Sequence, residues 1–278
     1  MMKQTKYIKR VLRWIIKGIP NVTVDVNISS VNNANLLKGK NVLVTGSSTG
    51  IGFEIAKKCI QNGAKVLING RNKEKIQKAL ERLENRAEAL PFDISNVYNS
   101  DEFIAQAKEK LNGDIDVLVC NAGISFHEKD IMHVTIDGFN QQFDTNLKGA
   151  YFLAKSFIEK RKPEKEYCIL FVSSERGFQC DDIPYGLTKA SINSLVKGLS
   201  RRFYTSGIRV NGIAPGITVS EMTQINRDNL FEDRLASKRY FLPEEVAEVA
   251  NFLISDASKC ISGEVIACDA GEYISSYF

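Results

Sequence analysis

The sequence is poor in the residues that build metal centres and disulfide frameworks. Its 278 residues include only two histidines, His127 and His133, and six cysteines, none of which forms a C-x-x-C pair. Zinc sites need closely spaced Cys and His ligands, so we expect no metal site. Most of the cysteines lie inside apolar runs, where a thiol behaves as a small core residue, and this usage favours a reducing cytoplasm.

Long apolar runs are missing as well. No stretch approaches eighteen consecutive apolar residues, the length that a membrane-spanning helix needs. The N-terminal segment does not resemble a secretory signal, because Arg13 interrupts its apolar run and no small-residue cleavage site follows. We therefore expect a cytoplasmic protein that does not span a membrane.

Acidic residues are absent from the first twenty positions, which hold six basic residues. The formal net charge of the whole chain is +4, so the remainder carries −2 once those six positive charges are set aside. Phosphate contacts dominate nucleic-acid binding, and a slightly acidic body therefore argues against nucleic acid as the main partner.

Residues 1 to 38 are predicted to be an extension to the main domain. Residues 1 to 18 have the pattern of a basic amphipathic helix. Such a helix could lie on an anionic membrane surface or dock on the protein itself or another subunit, and we favour docking. Residues 22 to 28 alternate as a half-buried strand does, and a polar connector follows over about 29 to 40.

From residue 39 to residue 278, short apolar runs alternate with amphipathic helices, which is typical of a parallel sheet covered on both faces. Predicted strands cover 42 to 44, 66 to 68, 88 to 92, 117 to 119, 168 to 172, 208 to 213 and 264 to 268. Predicted helices cover 51 to 62, 73 to 85, 99 to 111, 137 to 160, 185 to 205 and 244 to 254. We predict a single α/β domain with a Rossmann-type, doubly wound, seven-stranded parallel sheet.

A glycine-rich turn, Thr45-Gly-Ser-Ser-Thr-Gly-Ile-Gly52, follows the first predicted strand and leads into a helix. Glycine lets the backbone approach a pyrophosphate, and free N–H groups at the helix start favour its negative charge. The turn is not a Walker loop, since Phe53 stands where that motif needs lysine. It sits in a complete βαβ unit, which indicates a dinucleotide site.

Tyr185 and Lys189 are four residues apart in a predicted helix and therefore lie on one face, one turn apart. A nearby ammonium stabilises a phenolate, so we expect Lys189 to lower the pKa of Tyr185 toward neutrality. The pair could then act as a general acid or base. Taken alone, the same spacing also occurs by chance in exposed helices.

Together, these two motifs resemble the classical short-chain dehydrogenases/reductases, and the resemblance runs from about Gly39 to the C-terminus. Further matches are Asp93, Asn121-Ala-Gly123, Asn146, Ser173-Ser174, Pro215-Gly216, Pro243-Glu-Glu-Val-Ala247 and Asp269-Ala-Gly271. The sequence departs from the family in two ways. Cys120 replaces an Asn that often precedes Asn-Ala-Gly, and the interval from Ser174 to Tyr185 is short.

The resemblance implies four catalytic residues. Tyr185 would exchange a proton with the substrate oxygen, Lys189 would hold the nicotinamide ribose, and Ser174 would bind the substrate oxygen. Asn146 would support a proton path to Lys189, although it could instead be a helix-kink residue that satisfies backbone groups. Ser174 rather than Ser173 is expected to face the substrate, with Ser173 bonding the backbone.

The resemblance also implies a set of cofactor-binding residues. They are Gly46, Ser48, Thr49, Gly50, Ile51, Gly52, Arg71, Asp93, Ile94, Asn121, Ala122, Gly123, Tyr185, Lys189, Pro215, Gly216, Ile217 and Ser220. At the end of the second strand, Gly70 stands where NAD-preferring relatives carry an acid, and Arg71 follows. Arg71 can meet a 2′-phosphate, so we expect NADP(H) to be favoured over NAD(H). Alternatively, Arg71 merely begins the next helix in solvent.

Three functions remain open from the sequence. The first is an NADP(H)-dependent carbonyl reductase or alcohol dehydrogenase, with 3-oxoacyl-thioester reduction as the nearest known activity. The second is a sugar or polyol oxidoreductase of surface-polysaccharide metabolism, and the third is a non-catalytic dinucleotide-binding scaffold or redox sensor. The segment from Glu221 to Tyr240 is rich in charge and would either recognise a polar substrate or form a solvated helix face. We expect a small-molecule substrate and a homodimer or homotetramer.

Overall fold

The computed structural model describes Val24, Val26 and residues 35 to 275. The predicted N-terminal helix, the predicted strand over 22 to 28 and the first part of the polar connector lie outside the described residues, apart from the two valines. The extension and its boundary at residue 38 therefore stay predictions.

The described residues form a parallel sheet whose strand order is β3-β2-β1-β4-β5-β6-β7. Its strands are β1 (Asn41–Val44), β2 (Lys65–Gly70), β3 (Glu88–Pro91), β4 (Val117–Cys120), β5 (Tyr167–Val172), β6 (Ile208–Pro215) and β7 (Val265–Cys268). Val42 of β1 is in register with Val66 on one side and Val117 on the other. The predicted seven-stranded, doubly wound parallel sheet is confirmed.

Helices connect these strands and cover both faces of the sheet. They are α1 (Gly50–Gln61), α2 (Lys73–Arg82), α3 (Ser100–Lys110), α4 (Ile136–Gln142), α5 (Ala150–Glu159), α6 (Pro184–Phe203), α7 (Pro243–Ile254) and α8 (Glu272–Ser275). Among the helices in the part of the chain that the structure describes, none is long and apolar enough to cross a membrane.

The core has two halves, one on each side of the sheet, because successive strand residues point to opposite faces. Val42 and Val44 pack with residues of α1, α2 and α7, whereas Leu43 between them packs with residues of α3, α5 and α6. All three side chains are fully buried. This arrangement explains why the strands read as continuous apolar runs rather than as alternating patterns.

The predicted helix over 137 to 160 contains a π-helical segment. Between α4 and α5, the chain forms a π-helical segment, Phe143–Gly149, with Asn146 at its centre. The wider turn lets the Asn146 side chain reach Ile124, which lies outside the helix. The predicted helical segment is present without a gap, but its π-helical turn was not predicted, because the periodicity of the apolar residues does not reveal this long-range contact.

A second helix is shorter than its pattern indicates. We predicted a helix over 73 to 85, but α2 ends at Arg82 and is capped at Leu83. Glu84 and Asn85 have φ values of 56° and 53°, in the left-handed region that ends a helix.

The order of the strands reverses between β1 and β4, which lie next to each other in the sheet. In doubly wound sheets, ligands bind beyond the carboxyl ends of the strands at such a switch point. A cavity of about 1030 Å³ lies there, lined by residues that follow β1, β2, β4, β5 and β6.

Candidate active site

The glycine-rich turn between β1 and α1 packs tightly against the end of β4. Gly46 has φ of 59°, and a Cβ atom there would lie 2.6 Å from Cα of Ala122. A Cβ atom at Gly52 would lie 2.3 Å from Nδ2 of Asn121. That amide donates hydrogen bonds to the carbonyl oxygens of Thr45 and Gly46, at 2.9 and 2.8 Å. Both glycines are therefore required for the turn to reach this position.

The start of α1 fits an anionic ligand. Thr49 occupies the cap position, yet its side chain accepts no hydrogen bond from the first turn, and that turn contains no acidic residue. Free N–H groups at a helix start carry partial positive charge and bind phosphate groups. Ser48, Thr49, Gly50 and Ile51 all line the cavity at this point. The residues present thus fit the pyrophosphate of a dinucleotide.

At the other side of the turn, Arg71 follows the end of β2 and lines the cavity. Its guanidinium lies 3.7 Å from the carboxylate of Asp93, and 58% of its side chain is exposed. Asp93 in turn accepts hydrogen bonds from the backbone N–H and the hydroxyl of Ser95. Arg71 therefore lines the cavity beside the end of β2, with its charge largely in solvent.

Lys75 is a cavity residue that our sequence analysis did not identify. It lies in the first turn of α2, and its ammonium forms a 2.5 Å ion pair with Glu221, which follows β6. Both side chains are exposed, so the pair contributes little stability. It nevertheless links the start of α2 to the segment after β6, across the cavity. The available signal was its position four residues after Arg71, in the first turn of the helix that follows β2.

Tyr185 and Lys189 lie in the first two turns of α6, as their spacing predicts. The helix begins at Pro184, whose fixed φ and missing N–H suit a first helical position. The Lys189 ammonium lies 5.5 Å from the centroid of the Tyr185 ring. It donates a 2.9 Å hydrogen bond to the carbonyl oxygen of Val172, at the end of β5. Strand β5 and helix α6 therefore hold the lysine between them.

The titration of this pair differs from our expectation. Burial raises the pKa of Tyr185, while hydrogen bonding to Ser174 and the charge of Arg176 act in the opposite direction. Burial also lowers the pKa of Lys189 to about 8. Lys189 is directed to the Val172 carbonyl and does not depress the pKa of the tyrosine, so the expected direction was wrong. At neutral pH the phenol is protonated.

The two serines after β5 have separate environments. The Ser173 hydroxyl donates to the Lys189 carbonyl oxygen at 3.2 Å and to Oδ1 of Asn193 at 2.6 Å, so it ties β5 to α6. The Ser174 hydroxyl accepts a hydrogen bond from the backbone N–H of Arg176. It also hydrogen bonds with Tyr185, which works to lower the pKa of that phenol. Both serines line the cavity. Ser173 makes the structural hydrogen bonds that we expected of it, and the role of Ser174 toward a substrate stays a prediction.

Asn146 is buried behind the cavity wall and satisfies a neighbouring strand end. Its Oδ1 accepts from the backbone N–H of Ile124 at 2.8 Å, and its Nδ2 donates to the carbonyl oxygen of Ile124 at 2.9 Å. Nδ2 also lies 3.3 Å from the hydroxyl of Thr188, next to Lys189. The Asn146 side chain therefore hydrogen bonds backbone groups from the π-helical segment, which is the structural role that we gave as the alternative to a proton path.

The short interval between Ser174 and Tyr185 is stabilised by an ion pair. The Arg176 guanidinium donates to both oxygens of Asp181, at 2.5 and 2.7 Å. Asp181 also accepts from the backbone N–H of Ile183, just before α6. Bidentate pairs of this kind are short and directional, so they set the path of the chain that carries both Ser174 and Tyr185.

The charged segment from Glu221 to Tyr240 is not a helix. It consists of turns with a short antiparallel bridge between Phe231 and Arg239. Several of its basic residues pair with nearby acids: Arg227 with Glu244, Arg234 with Glu232, Lys238 with Asp233 and Arg239 with Glu245. The charges are thus mostly matched by their own neighbours, and the expected solvated helix face is absent from this described segment.

Nearly all of the predicted site residues line the same cavity, the one at the carboxyl ends of the strands. Those on its wall are Gly46, Ser48, Thr49, Gly50, Ile51, Arg71, Asp93, Ile94, Asn121, Ala122, Gly123, Ser174, Tyr185, Lys189, Pro215, Gly216, Ile217 and Ser220. Gly52 and Asn146 lie behind the wall, where each packs against a residue that follows β4. The sequence analysis missed other lining residues, including Asn69, Lys75, Glu175 and Gln179.

Comparisons with known proteins agree with this geometry. The sequence model of the family described as enoyl-(acyl carrier protein) reductase matches residues 46–272. The 3-oxoacyl-(acyl-carrier-protein) reductase of Chlamydia trachomatis is 35% identical over 246 residues, covering 86% of this chain and 99% of that protein. An L-rhamnose 1-dehydrogenase (NAD(P)(+)) of Sphingomonas sp. is 33% identical over 255 residues, covering 86% of this chain and 98% of that protein.

A solved structure gives the same result for the fold. The 3-ketoacyl-(acyl-carrier-protein) reductase of Brucella melitensis, complexed with NADH, superposes with a TM-score of 0.79 at 27% identity. The match covers 85% of this chain and 99% of that one. The chain therefore belongs to the classical short-chain dehydrogenase/reductase family, whose members are oxidoreductases that use a nicotinamide cofactor.

Proposed function

We propose that this protein is an NADP(H)-dependent oxidoreductase that interconverts a carbonyl group and a secondary alcohol. One observation carries the proposal. The phenol of Tyr185, the hydroxyl of Ser174 and the ammonium of Lys189 all reach the same cavity, whose other end is formed by the glycine-rich turn and the open start of α1.

In the reductive direction, Tyr185 acts as the general acid and gives its phenolic proton to the substrate oxygen. Because its pKa is not lowered, the phenol carries its proton at neutral pH and has one to give. Ser174 holds the same oxygen by a hydrogen bond and stabilises the charge that develops there. Lys189, with a pKa of about 8, exchanges protons close to neutrality. Asn146 is a positioning residue that fixes Ile124 and Thr188.

The nicotinamide dinucleotide would be held by the glycine-rich turn, by Asn121 to Gly123 after β4 and by Pro215 to Ile217 after β6. When bound, it supplies or accepts the hydride at the substrate carbon. The uncapped start of α1 and the close packing of Gly46 on Ala122 support the fit of its pyrophosphate.

A preference for NADP(H) is supported by the charges around the end of β2. Gly70 provides no carboxylate there, and Arg71 and Lys75 both line the cavity. A cation at about 4 Å from a 2′-phosphate near a protein surface has a Coulomb energy of up to roughly 4 kcal/mol before desolvation. Since Arg71 is already near Asp93 and largely exposed, we propose a smaller net preference of about ten- to hundredfold, or roughly 1.4 to 2.8 kcal/mol.

Two substrate classes compete. The relatives include a 3-oxoacyl-thioester reductase and a sugar dehydrogenase. The cavity lining combines apolar residues, such as Ile183, Ile217 and Met222, with polar residues, among them Glu175 and Gln179. A long acyl chain would leave the buried Oε2 of Glu175 without a partner, so this residue supports a hydroxylated substrate.

We further propose a homodimer or homotetramer in the cytoplasm. Tyr151, Phe152 and Leu187, on α5 and α6, are each more than one third exposed, and exposed aromatic surface of this kind supports self-association. All six cysteines are unpaired, in keeping with the compartment that we infer from their spacing.

The experiment is a panel of plain ketones, 3-oxoacyl thioesters and keto-sugars assayed with NADPH and with NADH. NADPH deuterated at C4 of the nicotinamide is used for each active compound. We expect faster turnover with NADPH and transfer of the deuterium to the carbon that bore the carbonyl oxygen. Tight dinucleotide binding without turnover of any compound would favour the scaffold alternative, and faster turnover with NADH would refute the cofactor preference.

A further inference from the structure

Glu175 is the residue immediately after Ser174, and its burial has no explanation in the fold itself. It begins a 3₁₀ turn, Glu175–Phe178, and lines the same cavity as Ser174 and Tyr185. Only 8% of its surface is exposed, and its Oε2 atom has no hydrogen-bond partner among the described residues. A buried carboxylate oxygen without a hydrogen-bond partner is costly and calls for an explanation, and a ligand that supplies the missing partner is one.

The neighbours of Glu175 do not neutralise it. The carboxylates of Asp269 and Glu272 face it from the C-terminal segment, and together with burial they raise its pKa to about 7. Arg176 is the basic group that acts on it, but the guanidinium is already engaged by both oxygens of Asp181. Glu175 thus lines the cavity with a carboxyl oxygen, Oε2, that is buried and that no described residue hydrogen bonds.

We propose that Glu175 determines substrate specificity by hydrogen bonding a hydroxyl group on the carbon next to the reacting carbonyl. This inference rests on the proposed function and deepens it. The substrate class is then that of α-hydroxy carbonyl compounds, such as keto-sugars, and of the corresponding polyols.

A hydroxyl group is the ligand that suits this carboxyl best. Near neutral pH, Glu175 is present both as the acid and as the carboxylate. A hydroxyl can accept from the acid and donate to the carboxylate, whereas an ammonium group would pair only with the carboxylate. Glu175 lines the same cavity as Tyr185, and its charge is one of the causes that raise the pKa of that phenol. The carboxyl is therefore near the group that serves the reacting oxygen, and the bound hydroxyl belongs close to the reacting carbon.

A second polar side chain in the same cavity supports the assignment. Gln179 closes the 3₁₀ turn that Glu175 begins, and it lines the cavity. Its side-chain amide makes no hydrogen bond to any other described residue, so its donors and acceptor remain available to a substrate with several hydroxyl groups.

The test compares 2-hydroxycyclohexanone with cyclohexanone, which differ by the one hydroxyl group. Initial rates of NADPH consumption give kcat/KM for each compound. We expect the parent protein to favour the hydroxylated ketone at least tenfold, which is about 1.4 kcal/mol. Sites that hydrogen-bond a substrate hydroxyl discriminate against the analogue that lacks it, because a buried polar group is then left unpaired.

Two variants assign that preference to Glu175. In Glu175→Gln the ratio of the two kcat/KM values should fall several-fold, and in Glu175→Leu it should approach one. Glu248→Gln is the matched control, because Glu248 also has a buried, unpartnered Oε2 but pairs with Lys58 between α1 and α7, away from the cavity lining. Its ratio should equal that of the parent.

The outcomes separate this inference from the proposed function. Equal kcat/KM for the two ketones in the parent, or an unchanged ratio in both Glu175 variants, overturns the role of Glu175 while leaving carbonyl reduction intact. Failure of the parent to reduce any carbonyl compound overturns both. Should the variants fail to fold, as circular dichroism would reveal, the ratio of the parent alone still decides whether a hydroxyl is recognised.

Discussion

Replacing Asn146 with alanine should destabilise the protein, and the structure allows the effect to be calculated. The change removes two short hydrogen bonds to the backbone of Ile124, at 2.8 and 2.9 Å, and a weaker one to Thr188 at 3.3 Å. A hydrogen bond contributes about 0.5 to 1.5 kcal/mol net, and more when its loss strands a buried partner, so we expect a loss of about 2 to 3 kcal/mol.

For a chain of this length, each kcal/mol lowers the melting temperature by about 2 to 4 °C, so Asn146→Ala should melt roughly 4 to 12 °C below the parent. Differential scanning fluorimetry measures the shift. Asn140→Ala is the control, since Asn140 is exposed on the neighbouring helix α4 and its side chain has no hydrogen-bond partner among the described residues. A melting temperature for Asn146→Ala that equals the control would refute the structural role of Asn146.

Three further changes test other parts of the site. Arg71→Ala should raise the Kd for NADPH by about tenfold or more while leaving the Kd for NADH nearly unchanged, because only NADPH carries the 2′-phosphate; isothermal calorimetry showing equal losses would contradict this. Gly52→Ala should lower stability by roughly 1 to 3 kcal/mol, since the new methyl group would overlap Asn121. An unchanged melting temperature would show that the turn is less tightly packed. As the pH rises from about 4.5 to about 7, Glu175→Gln should become more stable relative to the parent, by up to about 3 kcal/mol. The reason is that the folded parent keeps a proton on Glu175 that its unfolded chain releases, so the parent loses stability over this range. The charged groups that face it are Arg176, Asp269 and Glu272. If the stability of the two proteins changed with pH in parallel, the raised pKa of the buried Glu175 carboxyl would be contradicted.

The strands and the glycine-rich turn could be predicted because their signals are local. A strand buried on both faces must be apolar at each buried position, and in β1 the three buried residues form the continuous apolar run Val42-Leu-Val44. Likewise, the spacing of Gly46, Gly50 and Gly52 is set within a single turn. Tyr185 and Lys189 share a helical face for the same reason, and their position required no knowledge of the rest of the fold.

The features that were missed depend on contacts between distant parts of the chain. The π-helical segment between α4 and α5 accompanies the pairing of Asn146 with Ile124, which is 22 residues away. Lys75 meets Glu221 across 146 residues. The direction of the Tyr185 pKa shift was wrong because a motif gives the distance between two residues along a helix but not the depth at which they are buried.

The most direct test of the central claim, that Tyr185 transfers the proton at the substrate oxygen, is the turnover of Tyr185→Phe. Phenylalanine keeps the ring and its packing and removes only the hydroxyl group. We expect the variant to retain the melting behaviour of the parent and to bind NADPH, while kcat for the best substrate in the panel falls by about 10²- to 10⁴-fold, as is typical when a positioned acid is removed. Turnover by Tyr185→Phe comparable to that of the parent would contradict the account.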